Sequence, residues 1–243
     1  MSTTLCDIVA DFVDRPPGNI RAVIIHLARA KERAKNIQAI EAAIKSPLHV
    51  RDAIEGASLI ASGHPTKCGI DEGVQRTPGE VGCAASHLDA YFWALELGLS
   101  HLIVFEDDCI PSAGFSLDAV REYLRRAKRF AREFQLTNIQ DLTLLSTCGC
   151  YSWKHLTRLV KTTNHFNGSH AYVISNAMMR KVIEFYRILD EKQETAPIDG
   201  VLPAVLKRER CWAFCPENDI ALFRQNRDIP SYVASDGTAR REG

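Results

Sequence analysis

Three consecutive acids, Glu106-Asp107-Asp108, end a short unbroken apolar run, Leu102-Ile-Val-Phe105, and Pro111 follows close behind. Three carboxylates in a row repel one another unless something positive sits among them. A hard divalent cation prefers such oxygens, and one held by only one or two carboxylates keeps positions open for substrate phosphates. The bland alternative is a solvated cap at the end of a strand. Other residues with possible chemistry are scattered. Arg29 and Arg33 follow the apolar run Ala22-Val-Ile-Ile25, where guanidinium groups could meet phosphate oxygens or simply be solvated helix charges. His87 lies beside the apolar side of a helical pattern, a position that more often holds a hydrogen-bonded core residue than a catalyst. Asp199 is a single acid in Pro197-Ile-Asp-Gly200, at a helix entrance where a cap is the plain reading.

These residues need elements to position them. Leu102–Phe105 predicts a strand buried on both faces, of the kind found in parallel sheets. In open α/β sheets, ligands bind beyond the carboxyl ends of the strands, where the three acids would fall. Further strands are predicted at 22–25, 50–56, 142–146, 159–162, 171–175 and 211–214. Helices are predicted at about 31–45, 80–97 with Gly98 at C′, 117–134, and after Asn176 as a cap. Residues 57–79 carry Gly63, Pro65, Gly69, Gly73, Pro78 and Gly79, a breaker-rich connection of the length that serves as a lid. Residues 1–18 read as a polar lead-in, 19–230 as one α/β domain, and 231–243 as a polar tail.

Composition narrows the function classes. The chain has 243 residues, 46% hydrophobic and 25% charged, and a formal net charge of +0. That is an ordinary globular composition, with no overall field favouring nucleic acid. The helix at 117–134 is basic on its outer faces (Arg121, Arg125, Arg126, Lys128, Arg129, Arg132). A solvated face is the plain reading, and a peripheral contact with an anionic membrane the sharper one. Asp7, Asp11 and Asp14 interrupt any secretory core, and no run is long enough to span a membrane. The 8 cysteines sit in unrelated contexts. Cys148-Gly-Cys150 and Cys211-x-x-x-Cys215 lack the usual structural zinc spacing. The expectation is a cytoplasmic protein with free thiols, with any membrane contact at the inner face.

Together the pieces resemble a family. Thr77-Pro-Gly-Glu-Val-Gly-Cys-Ala-Ala-Ser-His87 is similar to the Gly-Glu-Ile-Gly-Cys-x-x-Ser-His signature of glycosyltransferase family 25, the lipopolysaccharide and lipooligosaccharide sugar transferases. Glu106-Asp-Asp108 follows at that family's spacing. Val23-Ile-Ile-His-Leu27 with Arg33, Ala53-Ile-Glu-Gly56, Tyr172-Val-Ile-Ser175 and Pro197-Ile-Asp199 resemble its other blocks. His26 departs from the family's usual Asn, and Met178-Met179 from a Gly-Ala pair. The resemblance implies a GT-A fold, a mostly parallel Rossmann-like sheet with helices on both faces. It implies an inverting transfer of a hexose, galactose or glucose, from a UDP-hexose donor to a glycan or lipid-linked glycan acceptor, with Mn²⁺. By that resemblance Asp108 is the leading metal ligand, and Glu106 or Asp107 is a second metal contact or holds the ribose. Arg33, Leu27 and Glu80 are donor-binding candidates, and the catalytic candidates are Asp199, as the base, and His87. Trp153 is the candidate acceptor platform. Two other function classes stay open. One is a degenerate module that binds a nucleotide sugar or glycan without turnover. The other is a nucleotidyltransferase, disfavoured because residues 26–33 contain no glycine for a phosphate loop.

Overall fold

The computed structural model describes residues 3–136, 141–146, 149–150, 155–156, 160–163, 166–168, 170–216 and 222–226. Trp153, Cys148 and the 231–243 tail lie outside the described residues. The helices are α1 (Leu5–Val13), α2 (Ala34–Ile44), α3 (Gly56–Ala61), α4 (Pro78–Glu96), α5 (Leu117–Glu133), α6 (Asn176–Glu191) and α7 (Ile198–Arg208). The strands are β1 (Ile20–His26), β2 (Leu48–Asp52), β3 (His101–Glu106), β4 (Cys109–Pro111), β5 (Leu142–Leu144), β6 (Gly149–Cys150), β7 (His155–Leu156), β8 (Val160–Thr163), β9 (Phe166–Asn167), β10 (Ala171–Ser175), β11 (Ala213–Pro216) and β12 (Phe223–Gln225).

Eight strands form the main sheet in the order β2-β1-β3-β10-β5-β11-β8-β7. Strands β2, β1, β3, β5, β11 and β7 run one way, and β10 and β8 run against them. The fold is therefore the expected mostly parallel α/β sheet. One feature was not expected: β3 is parallel to β1 on one side but antiparallel to β10 on the other.

Strand alternation divides the core in two. Val23, Leu102, Val104, Tyr172 and Ile174 pack under α4, α6 and α7, with Tyr91, Met178, Val182 and Val201. Ala22, Ile24, Ile103, Phe105 and Val173 pack on the opposite face against α1, α2 and α5, through Val9, Ile40, Val120 and Leu124. Each helix shows its burying face to the sheet, so the domain is three-layered.

Several local expectations are revised. The polar lead-in contains α1: Thr4 and Asp7 form a reciprocal capping box, and Leu5, Ile8, Val9, Phe12 and Val13 are buried. Helix α6 is capped by the Ser175 side chain, which accepts from the Met178 N–H at 3.1 Å, while Asn176 donates to the Leu99 carbonyl. The last stretch of sheet sits at β11 rather than 211–214 and is followed by β12. Part of the 57–79 connection is α3. The rest is tied down, with the Gly69 N–H on the Thr195 carbonyl and the Thr195 N–H on the Lys67 carbonyl. On α5, Arg121 pairs with Asp118, Arg125 and Arg126 with Glu122, and Lys128 with Asp14. Much of the basic face is thus met by carboxylates, and such exposed pairs contribute little to stability. Cys6, Cys68, Cys83, Cys109, Cys211 and Cys215 are free thiols. Among the described residues no helix is long and apolar enough to cross a membrane.

The start of β3 carries a pH-sensitive group. His101 is buried, and burial, helped by the charge of Arg15, pushes its pKa down to about 4. A histidine depressed in the folded state is protonated more readily in the unfolded chain, so its stability contribution is lost as pH falls from about 6.5 toward 4. Unfolding free energy should drop by about 2 kcal/mol between pH 7 and pH 5 from this residue. Denaturant titrations at the two pH values check it: His101→Gln should flatten the difference, and an unchanged difference would refute the assignment.

Candidate active site

The carboxyl ends of β1 and β3 lie side by side and open into a cavity of about 250 Å³. Its walls are Leu27 just after β1, Arg33 just before α2, the 53–57 segment, the N-terminal half of α4 (Gly82, Cys83, His87) and the acids Glu106, Asp107 and Asp108. Helix α4 can form this wall for two local reasons. Thr77 and Glu80 make a reciprocal capping box with Pro78 in the first turn, which fixes where the helix begins. Gly56 and Gly82 then let α3 and α4 touch backbone to backbone. A Cβ on Gly56 would sit 1.8 Å from the Pro78 carbonyl oxygen, and one on Gly82 2.5 Å from the Ile54 oxygen. Glu80 is spent on this cap, with Arg76 as its ion-pair partner, and is not among the cavity-lining residues.

The three acids separate into different jobs. Asp107 is a brace. Its carboxylate accepts from the Leu27 N–H at 3.0 Å and from His26 Nδ1 at 2.9 Å, and it forms a buried ion pair with Arg33. Its backbone carbonyl accepts from Asn36 Nδ2 at 2.9 Å. Leu27, Arg33 and Asp107 therefore come together, and they hold one another. His26, the departure from the family pattern, is part of the same brace.

Glu106 and Asp108 point instead into a cluster with His170, whose ligand atoms all lie within 4.8 Å of one another. His170 Nδ1 is 3.4 Å from Glu106 Oε2 and 3.7 Å from Asp108 Oδ1. Asp108 Oδ1 is buried with no hydrogen-bond partner among the described residues. Burial raises the Glu106 pKa, but hydrogen bonds from His170 and His87 outweigh it and hold the carboxyl well below its usual range. Burial and the neighbouring Glu106 charge push Asp108 up. Burial disfavours the charged form of His170, yet the Glu106 hydrogen bond and the nearby carboxylates lift it to about 9. Two carboxylates, one of them with an oxygen that has no hydrogen-bond partner among the described residues, and a histidine suit a hard or borderline divalent cation such as Mn²⁺.

His87 lines the cavity but is wholly buried at the end of a relay. Tyr91 Oη lies 2.5 Å from Tyr172 Oη, which lies 2.6 Å from His87 Nδ1; His87 Nε2 is 3.3 Å from Glu106 Oε1. Either tyrosine hydroxyl can be the donor in the first contact. An N–H at His87 Nε2 faces Glu106, since a lone pair there would be turned toward a carboxylate. His87 is thus placed as a donor that orients Glu106.

Asp199 sits in the first turn of α7, whose N-cap is Pro197, so the capping role does not hold. Its Oδ2 accepts from the Gly168 N–H at 3.0 Å. It does not line the cavity, but its negative charge raises the pKa of His170, so it belongs to the same electrostatic group. The positive φ of 83° at Gly168 suits glycine.

Sequence reasoning missed His170, Gln225 and Asn226. His170 precedes β10, and the pairing of Ala171 with Phe105 puts it beside Glu106, whose N–H donates to the His170 carbonyl at 2.9 Å. Gln225 Nε2 donates to Asp108 Oδ2 at 3.0 Å. Only the antiparallel β10 and the return of β12 bring these residues in, and no local pattern announces either.

Comparison with known proteins follows this geometry. Among solved structures, the chain is similar to a UDP-glucose pyrophosphorylase complexed with UDP-glucose, with 11% identity, 88% of this chain and 78% of that chain covered, and a TM-score of 0.39. It is also similar to a mannose-1-phosphate geranyltransferase from Thermus thermophilus, with 10% identity, coverage of 90% and 67%, and a TM-score of 0.35. No curated protein sequence matches. The sequence model of glycosyltransferase family 25 (LPS biosynthesis protein) matches residues 19–201, a span that contains the α4 box, the acidic end of β3, His170 and Asp199. The chain therefore belongs to glycosyltransferase family 25.

Proposed function

We propose that the chain is a metal-dependent, inverting hexosyltransferase. It moves galactose or glucose from a UDP-hexose donor to a hydroxyl of a glycan acceptor such as lipopolysaccharide. The observation that carries this is the donor set of buried Asp108 with half-buried Glu106 and His170 beside the β1/β3 cavity, with Asp108 Oδ1 lacking a hydrogen-bond partner among the described residues. A site with no cation would have little reason to crowd two carboxylates together.

In this reading Glu106, Asp108 and His170 would hold a divalent cation such as Mn²⁺, which would supply charge neutralisation for the diphosphate leaving group. Asp107, braced by Arg33 and His26, fixes the Leu27 backbone and so the donor wall. His87 holds Glu106 in its ionised, oriented form. Asp199 is the base: as the acceptor oxygen bonds to the anomeric carbon and the carbon–diphosphate bond breaks, the hydroxyl proton passes to its carboxylate. Trp153 is proposed as the acceptor platform, and a peripheral membrane contact is assigned to α5, whose Arg129 and Arg132 add charge beyond the paired residues.

Purified protein incubated with a panel of nucleotide sugars and a glycan acceptor tests the proposal by release of nucleoside diphosphate. Release with one donor, stopped by chelator, is the expected result. No release from any donor, and no donor or metal binding, would leave the degenerate binding module without a ligand as well. Binding without turnover, acceptor present, would favour that module over the enzyme. Asp199→Asn separates the base from a structural role, because an Asn oxygen still accepts from Gly168 N–H. Transfer should fall by about 10²-fold or more with metal binding intact. Near-normal transfer would remove Asp199 as the base.

A further inference from the structure

The two oxygens of Asp108 are treated differently by the fold. Oδ2 accepts from Gln225 Nε2 at 3.0 Å. Oδ1 is buried, has no hydrogen-bond partner among the described residues, and lies 3.7 Å from His170 Nδ1. The Asp108 backbone is gripped as well: its carbonyl accepts from the Asn226 N–H at 2.6 Å. The Asn226 side chain donates to Asn36 Oδ1 at 3.3 Å, and Asn36 donates to the Asp107 carbonyl at 2.9 Å. Register supports the grip, since β12 pairs antiparallel with β4 and Gln225 faces Cys109, the residue after Asp108. All of this comes from two residues beyond the 19–201 span that the family sequence matches.

A carboxylate with both oxygens free can rotate and bind a cation through either oxygen or both. An amide donor on one oxygen removes that freedom, as hydrogen bonds to ligating carboxylates generally do. We infer that Gln225 is a positioning residue for the metal centre: it holds Asp108 Oδ2 so that Oδ1 alone is presented toward Glu106 and His170 for a hard divalent cation. The inference rests on the metal-dependent reading above. The segment Gln225–Asn226 is thus a clamp that completes a site whose other members all lie within the family span. It is expected to set cation affinity and coordination through one oxygen, without touching the donor.

The test is Mn²⁺ titration of the full, donor-free chain, read by loss of the free-ion electron paramagnetic resonance signal. Gln225→Met keeps length and volume but donates nothing. Its Mn²⁺ affinity should fall by about 10–100-fold, the usual cost of losing such a partner, with little change in metal-free melting temperature. Arg224→Ala, a neighbouring exposed position on β12, should bind Mn²⁺ like the native chain. A purely structural role for Gln225 would instead lower the metal-free melting temperature and leave the affinity alone. Equal affinities in native and Gln225→Met proteins overturn the inference while the metal reading stands. No Mn²⁺ binding by the native chain overturns both. Should Gln225→Met fail to fold, the native side-chain amide answers: substoichiometric Mn²⁺ should broaden the Gln225 Nε2 resonance ahead of the other glutamine amides, and its persistence would refute the contact.

Discussion

Asp108→Asn should abolish chelator-sensitive donor turnover, by about 10³-fold, in a protein at least as stable as the native one. The two halves of that expectation have one cause. Asp108 is buried beside Glu106, and both burial and that like charge disfavour its ionised form. Without a cation its charge is a cost to the fold, so a neutral side chain of the same shape relieves repulsion. With a cation the same charge is the attraction that holds the metal. Mn²⁺ should therefore raise the melting temperature of the native protein, by mass action on the folded state, and leave that of Asp108→Asn unmoved. Thermal melts with and without Mn²⁺, alongside the turnover assay, check both halves. A variant that keeps turnover, or that Mn²⁺ still stabilises, would remove Asp108 from the centre.

Arg33→Met should destabilise the fold by about 3–5 kcal/mol. The Arg33 and Asp107 side chains are 7% and 5% exposed, so removing the guanidinium leaves a buried carboxylate short of its main counter-charge. An opposed but intact pair is a weak stabiliser, whereas a broken one is expensive. A loss of this size is a large fraction of the roughly 5–15 kcal/mol of a typical domain. The donor wall should suffer with it, because Asp107 also holds the Leu27 N–H. Denaturant midpoints give the stability. Adding Asp107→Asn should recover much of it, since Asn still accepts from Leu27 but carries no charge. If the double variant is no more stable than Arg33→Met alone, the buried-charge account fails.

These expectations depend unequally on what the sequence discloses. Local order was legible wherever it is encoded locally. The β3 run ending in three acids, the α4 motif block, Gly98 at a positive φ of 67° after α4, and the α5 stripe are patterns within one element. The same kind of signal existed for α1, where Thr4 and Asp7 cap a run with apolar residues at helical spacing. Of the aspartates that interrupt a secretory core, Asp7 caps this helix with Thr4, Asp11 lies on its exposed side and Asp14 ends it.

The site divides along the same line. That Glu106, Asp107 and Asp108 end a buried strand, and that such a strand end suits a cation, follow from the sequence by itself, as does membership of the family through its motif block. Which acid does what was decided only by the tertiary structure. Asp107 turns back to Arg33, 74 residues away, and Glu106 and Asp108 turn to His170 and Gln225, 64 and 117 residues away. Those separations are closed by β10 running antiparallel to β3 and by β12 returning to β4. Chain direction within a sheet, and the return of a distant strand, depend on how whole layers bury their faces. Hydrophobic periodicity records which face is buried, but not what lies beside it.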